Sequence, residues 1–253
     1  MTVKQLYSIL NSNIPTSLSC EWDNDGLMCC PDADAPVRRV LVALDVTERV
    51  VDTAIEGGYD LIVSHHPLVF KGIKSVNGAD PVARKLLKLI KHGISVFSFH
   101  TRLDALSGGV NDVLADALGI ADAVSFGEEG IGKIGFLPEP VDAREFAERV
   151  KTALGADAVL LSDAGVLCHR VAVLGGSGGD DLGAAIAAGA DTYVSGELKF
   201  HQLNDAPELG VNLIEAGHFF TEQPVCDTLA RMIRACDGTL TCNVTCSNAI
   251  KLI

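Results

Sequence analysis

Three short stretches of the chain carry residue types that could hold a metal ion. The first is VSHHPLVF (63–70), where His65 and His66 follow the apolar run YDLIV. The second is HTRLD, with His100 and Asp104, and the third is GHFFTE, with His218 and Glu222. Imidazoles mixed with carboxylates suit a divalent transition ion such as Zn, Fe, Mn, Ni or Co. His218 and Glu222 stand four apart. If FFTEQPVCDTLARMIRAC begins a helix, both face one way and can grip one ion, with Pro224 tolerable only near the first turn. Adjacent His65 and His66 would point to opposite sides of a continuing strand. Pro67 instead imposes an extended or turning backbone, so the two rings could address two ions, or one ion and its water. A lone histidine at a strand end is more often a hydrogen-bonded residue than a ligand, and that is the reading for His92 and His169 and the favoured one for His201. An HxxxE spacing alone is weak evidence. The agreement of three such groups at equivalent places in the chain is what points to a metal site.

Those places are strand ends. VRRVLVALD (37–45), YDLIVSHH and GISVFSFHT (93–101) read as strands; ERVVDTAIEGG and DPVARKLLKLIK read as helices between them. Strands alternating with helices predict a parallel sheet covered on both faces, which explains the uniformly apolar LIV. α/β folds place their ligands beyond such strand ends. The pattern then recurs: His169–Glu197 lies over Arg38–His66 without a gap at an offset of 131, with nine identities from Arg39/Arg170 to Ser64/Ser195. With a gap, GISVFSFHT aligns with GVNLIEAGH, and the two stretches carry His100 and His218 at their ends. The fold expected is α/β: two similar lobes from an internal duplication, with mixed sheets flanked by helices. The domain reading is a first lobe over 1–126, a small α+β segment over 127–165 (KIGFLP strand, DAREFAERVKTAL helix, AVLLS strand) and a second lobe over 166–253.

Composition narrows the function. The chain has 253 residues, a net charge of −13 and 48% hydrophobic residues, enough for a full core. An acidic chain without a Lys/Arg cluster argues against a general nucleic-acid surface. No apolar run approaches the roughly 20 residues that span a bilayer, and MTVKQLYSILNSNIP has the periodicity of an amphipathic helix, so no membrane partner and a cytoplasmic location are expected. The eight cysteines form no CxxC pair and read as reduced, mostly buried thiols. There is no GxxxxGK[ST] loop and no GxSxG elbow. LGGSGGDD reads as a strand-to-helix turn, with an anion-binding glycine nest as the alternative. The one tryptophan, Trp22, lies in EWDNDGL, where Asp23, Asn24 and Asp25 suggest a capped turn packed against the core.

WDNDGL, SHHPLVF, HTRLDA, VAVLGGSGG, SGELKFH and GHFFTE, in that order, resemble the NGG-interacting-factor-three-like family over essentially the whole chain. Its members are often named type 2 GTP cyclohydrolase I homologues. The resemblance implies two α/β lobes facing each other across a dinuclear metal site, and assembly as a homohexameric ring. By motif, the family's ligands fall on His65, His66, Asp104, His218 and Glu222, with Glu222 suited to bridge two ions. The implied activity is metal-assisted hydrolysis of a nucleotide or phosphate-bearing small molecule, with two ions about 3.5–4 Å apart acidifying a water. His100 or Glu197 would then be the general base or a group behind the ligands. A metal chaperone or store, or a regulatory scaffold, would use the same ligands without turnover. Two positions depart from the family pattern. Arg102 replaces an asparagine, placing a guanidinium either at the mouth of the site or in solvent. SGE replaces a TGD-like segment, keeping a carboxylate one methylene longer.

Overall fold

The structure, a computed structural model, describes residues 1–251. In chain order its elements are α1 (Val3–Asn13), β1 (Gly26–Cys29), β2 (Arg39–Ala43), α2 (Glu48–Glu56), β3 (Leu61–Ser64), α3 (Pro81–Lys91), β4 (Ser95–Ser98), α4 (Thr101–Ala105) and α5 (Val110–Ala117). There follow β5 (Ala121–Phe126), β6 (Gly132–Val141), α6 (Ala143–Leu154), β7 (Leu160–Ser162), β8 (Cys168–Leu174), α7 (Leu182–Ala187) and β9 (Thr192–Ser195). The chain ends with α8 (Phe200–Leu209), β10 (Asn212–Glu215), α9 (His218–Glu222), α10 (Val225–Cys236) and β11 (Thr241–Val244). Among the described residues no helix is long and apolar enough to cross a membrane.

Two mixed sheets are flanked by helices, as the alternating pattern predicts. The first has the order β1-β4-β3-β2-β11, with β1 antiparallel at its edge and the other four strands parallel. The second has the order β5-β6-β8-β9-β10-β7, with β8, β9 and β10 parallel at its centre. The chain packs into two units, Met1–Leu103 with Cys226–Ala249, and Asp104–Val225. These boundaries differ from a division read in chain order. β11 adds parallel to β2, which returns the C-terminal segment to the first unit, and β6 pairs with β8, which makes 127–165 part of the second sheet.

The duplication is visible in hydrogen bonds. Asp60 accepts from the backbone of Arg38 and Arg39 at 2.8 and 2.9 Å. Asp191 accepts from His169 and Arg170 at 3.0 and 2.7 Å, at the equivalent positions. Each aspartate joins the start of one strand to the start of the next and occupies donors that would otherwise lie unpaired at a sheet end. The register also agrees with the alignment of GISVFSFHT over GVNLIEAGH. Leu61 faces Ser95 as Thr192 faces Asn212, so Thr101, not His100, is the counterpart of His218. The two histidines are displaced by one residue between the halves.

β3, β4 and β9 are buried along their whole length because both faces are covered. In the first unit Leu41, Ile62 and Val96 pack with Val50, Ala54, Leu86 and Leu89 of α2 and α3. Tyr7 of α1 meets Phe97 with ring centroids 5.0 Å apart. Among the described residues of the second unit two core clusters stand out. One contains Phe146, Val171, Val194 and Ile214; the other contains Tyr193, Leu213 and Ala185.

Arg102 sits neither at a site mouth nor in solvent; its side chain is 0% exposed. Its Nε donates to Asp25 Oδ2 at 2.9 Å, and Nη1 donates to Asn11 Oδ1 at 2.7 Å and to the Ile14 carbonyl at 2.9 Å. The guanidinium carbon lies 4.7 Å from the Phe99 ring centroid. The planar fork thus ties α1, the loop before β1 and the end of β4 into one block. Gly26 has φ +106°, and a Cβ there would lie 2.8 Å from Tyr7 Oη and 3.3 Å from Arg102 Nη2. Losing one partner of a buried charge pair costs about 3–5 kcal/mol, whereas a solvent-facing arginine changes stability by less than about 0.5 kcal/mol. Arg102→Ala is therefore expected to lower the unfolding free energy by about 3–5 kcal/mol in denaturant titration.

Candidate metal centre

In the first unit, β3 stops at Ser64 and the chain turns. The Ser64 hydroxyl bonds the His66 carbonyl at 2.8 Å and the Ser98 hydroxyl at 2.8 Å, which fixes that turn. Because the strand has ended, His65 and His66 do not diverge; their ring centroids lie 4.9 Å apart. His65 is fully buried, and its Nδ1 lies 2.9 Å from the Phe99 carbonyl. A carbonyl only accepts, so Nδ1 carries the proton and Nε2 keeps its lone pair. His66 Nδ1 meets Asp45 Oδ1 at 2.8 Å, and His100 Nδ1 meets Asp23 Oδ1 at 2.8 Å. The Asp23 carboxylate also accepts from the Thr101 backbone at 3.0 Å and hydroxyl at 2.7 Å. Burial pushes the Asp23 carboxyl upward, but the hydrogen bonds from His100 and Thr101 outweigh it and hold Asp23 well below the usual carboxylate range. His65, His66 and His100 each offer one ligand atom within 4.8 Å of the others.

In the second unit the helix expected after GH is broken in two. α9 carries His218 and Glu222, Gln223 and Pro224 interrupt it, and α10 begins at Val225. The four-residue spacing brings the pair together as expected: His218 Nε2 lies 3.0 Å from Glu222 Oε2. His218 Nδ1 meets Glu197 Oε1 at 2.8 Å. Glu197 therefore behaves toward His218 as Asp45 does toward His66, holding the far nitrogen of the ring. Asp104 and Glu222 also offer carboxylate oxygens within 4.8 Å of each other. Asn111 ties this corner together: its amide donates to the Asp104 carbonyl at 3.4 Å and its Oδ1 accepts from Gly175 N at 2.8 Å.

The glycine-rich turn is committed inward and does not form an anion nest. Gly175, Gly176 and Gly178 donate their backbone N–H groups to Asn111, Thr221 and Ser195, at 2.8, 3.0 and 3.1 Å. Its glycines permit close approach. Gly176 has φ +66°, and a Cβ there would stand 2.1 Å from Glu222 Oε1 and 3.1 Å from His218 Nε2.

Several of these residues were not singled out from sequence. Asp45 ends a strand, the same signal that picked out the histidines. Asp23 and Asp25 were read as turn formers, and Asn111 gave no signal at all. His201 is exposed on α8 and belongs to none of the donor groups found among the described residues. The donor chemistry fits a divalent transition ion. In the first unit three imidazoles have Nδ1 held by a carbonyl or carboxylate, and in the second His218 is held in the same way beside the carboxylates of Asp104 and Glu222, the donor types that bind such an ion.

Comparison with known proteins agrees with the resemblance read from the motifs. A relative from Clostridium perfringens named GTP cyclohydrolase 1 type 2 homolog is 33% identical over 232 residues, covering 89% of this chain and 88% of its own. A Schizosaccharomyces pombe protein named NIF3 homolog is 35% identical over 238 residues, covering 87% and 84%. The crystal structure of a Staphylococcus aureus hypothetical protein superposes with a TM-score of 0.91 at 28% identity, covering 100% of this chain and 99% of that one. The family described as Duf34/NIF3 (NGG1p interacting factor 3) matches residues 1–252, and this chain belongs to that family.

Proposed function

We propose that the protein is a metal-dependent hydrolase that holds two divalent ions through His65, His66, Asp104, His218 and Glu222 and acts on a nucleotide or another phosphate-bearing small molecule. The observation that carries this reading is the common state of the imidazoles. In His65, His66 and His218 the chain itself holds Nδ1, through the Phe99 carbonyl, Asp45 and Glu197. Each ring is oriented by that contact, and on His218 the opposite nitrogen, Nε2, lies 3.0 Å from Glu222 Oε2. When bound, such ions acidify a water and polarise a phosphoryl or carbonyl oxygen.

His100 takes the role of general base. Its Nδ1–H is held by Asp23, a carboxylate kept ionised by its hydrogen bonds, which stabilises the imidazolium formed when Nε2 accepts a proton. Glu197 is a positioning residue in this scheme, because its carboxylate is occupied with His218. Arg102 takes no part in substrate binding, since it is buried and its Nε and Nη1 are held by Asp25, Asn11 and Ile14. The proposal extends to a homohexameric ring, on the strength of the family resemblance alone, and to a cytoplasmic location, on the sequence pattern.

Elemental analysis of protein purified without an affinity tag tests the ligand set. About two ions per chain are expected in the wild type and a clear loss in Glu222→Ala; a wild type that takes up no Zn, Mn, Fe or Ni after anaerobic reconstitution would sink the reading. Asp45→Ala leaves the His66 ring in place but unheld, and is expected to weaken metal affinity by about 10–100-fold in a competitive chelator titration. Loaded protein that binds two ions yet hydrolyses nothing in a screen of nucleotides and phosphoesters points to the chaperone or store.

A further inference from the structure

We infer that Trp22, Phe70 and His100 form a recognition corner for a planar heterocycle, with Lys71 and Lys74 beside it receiving an anionic tail, so that the substrate class is a nucleotide. The inference rests on the proposed hydrolase for what becomes of the bound compound, but not for the binding itself. Trp22 is the only tryptophan in the chain. It was expected to pack against the core, yet it is 58% exposed, and Phe70 is 45% exposed. The two ring centroids lie 6.2 Å apart with planes at 79°. His100 completes the group, 6.2 Å from Trp22 at 78° and 6.0 Å from Phe70 at 87°. Three nearly perpendicular rings make a corner. A flat ring laid on one wall abuts the other two, which fixes its position as well as its plane.

Trp22 is not left outside by a loose loop. Cys20 N donates to Thr101 Oγ1 at 3.0 Å, Asp23 is bonded to His100 and Thr101, and the Asn24 amide donates to the Val69 carbonyl. Residues on both sides of the indole are thus fixed, and one fastening reaches the residue next to Phe70. Holding two large aromatic rings exposed forgoes the gain of burying them, and paired aromatic rings with few rotatable bonds suit ligand capture. The corner also has a place for charge. A cavity of about 680 Å³ shares Phe70 with it and is lined also by Lys71, Ile73, Lys74, Ser75 and Asp80. One oxygen of Asp80 already caps α3 by accepting from Ala83 N at 2.8 Å. Two exposed lysines against one capping carboxylate among the lining residues make this a locally cationic recess in a chain of net charge −13. His100 belongs to the same donor group as His65 and His66, so a ring held in the corner lies beside the imidazoles of the first unit.

Because Trp22 is the sole tryptophan, indole emission reports on this corner alone. Metal-free and metal-loaded protein are titrated with AMP, GMP and ribose 5-phosphate, with fluorescence and calorimetry read together. AMP and GMP are expected to quench saturably in both forms, since stacking does not read base edges. Ribose 5-phosphate is expected to bind at least about tenfold more weakly and without quenching. Trp22→Leu is expected to lose about tenfold or more of the AMP affinity by calorimetry at an unchanged melting temperature, and Lys71→Ala with Lys74→Ala to weaken AMP more than adenosine. Ribose 5-phosphate binding as tightly as AMP, no saturable quenching by either nucleotide, or wild-type AMP affinity in Trp22→Leu would overturn the inference. Nucleotide binding that persists in protein unable to take up metal would leave the corner standing and remove the hydrolase.

Discussion

The arrangement depends on one kind of hydrogen bond, from an imidazole Nδ1–H to an acceptor supplied by the chain. It occurs four times, to the Phe99 carbonyl, Asp45, Asp23 and Glu197, at 2.8–2.9 Å. Each such bond settles the tautomer, stops the ring from turning and raises the basicity of Nε2. Most of the surrounding structure exists to make these bonds. The turn after β3 is fixed by Ser64 and Ser98, Asp23 is clamped by Thr101, and the glycines of the turn after β8 let Glu222 and His218 approach backbone that any side chain would displace.

A second, purely structural charge pair supports the first unit. Arg102 and Asp25 are buried, and Asp25 also accepts from the His100 backbone at 3.1 Å. The arginine thereby helps set where His100 begins, without reaching the site itself. The duplicated aspartates Asp60 and Asp191 act in the same way at the opposite ends of the strands, each joining two strand starts. Strand ends toward the histidines carry chemistry, and strand starts carry fastening.

Much of this was readable in the chain because it is periodic or positional. Apolar runs bounded by glycine and proline marked the parallel strands, the fixed offset marked the duplication, and the four-residue step from His218 to Glu222 survived the break at Pro224 because both residues precede it. What escaped had no period. Asp23 and Asp25 sit in an irregular loop far in sequence from His100 and Arg102, so their pairing depends on tertiary contact. Arg102 looked like a surface or ligand-facing charge because a lone arginine carries no sign of a buried partner. The division into units also escaped, because β11 finds its place by pairing with β2 and not by its position in the chain.

The claim that the chain holds Nδ1 and presents Nε2 can be read directly by nitrogen-15 NMR of the imidazoles before and after adding Zn. The account predicts that His65 and His66 are Nδ1–H tautomers in metal-free protein, and that Zn moves the Nε2 resonances of His65, His66 and His218 while their Nδ1 protons remain. Nε2–H tautomers in the metal-free protein, or shifts confined to Nδ1, would contradict it.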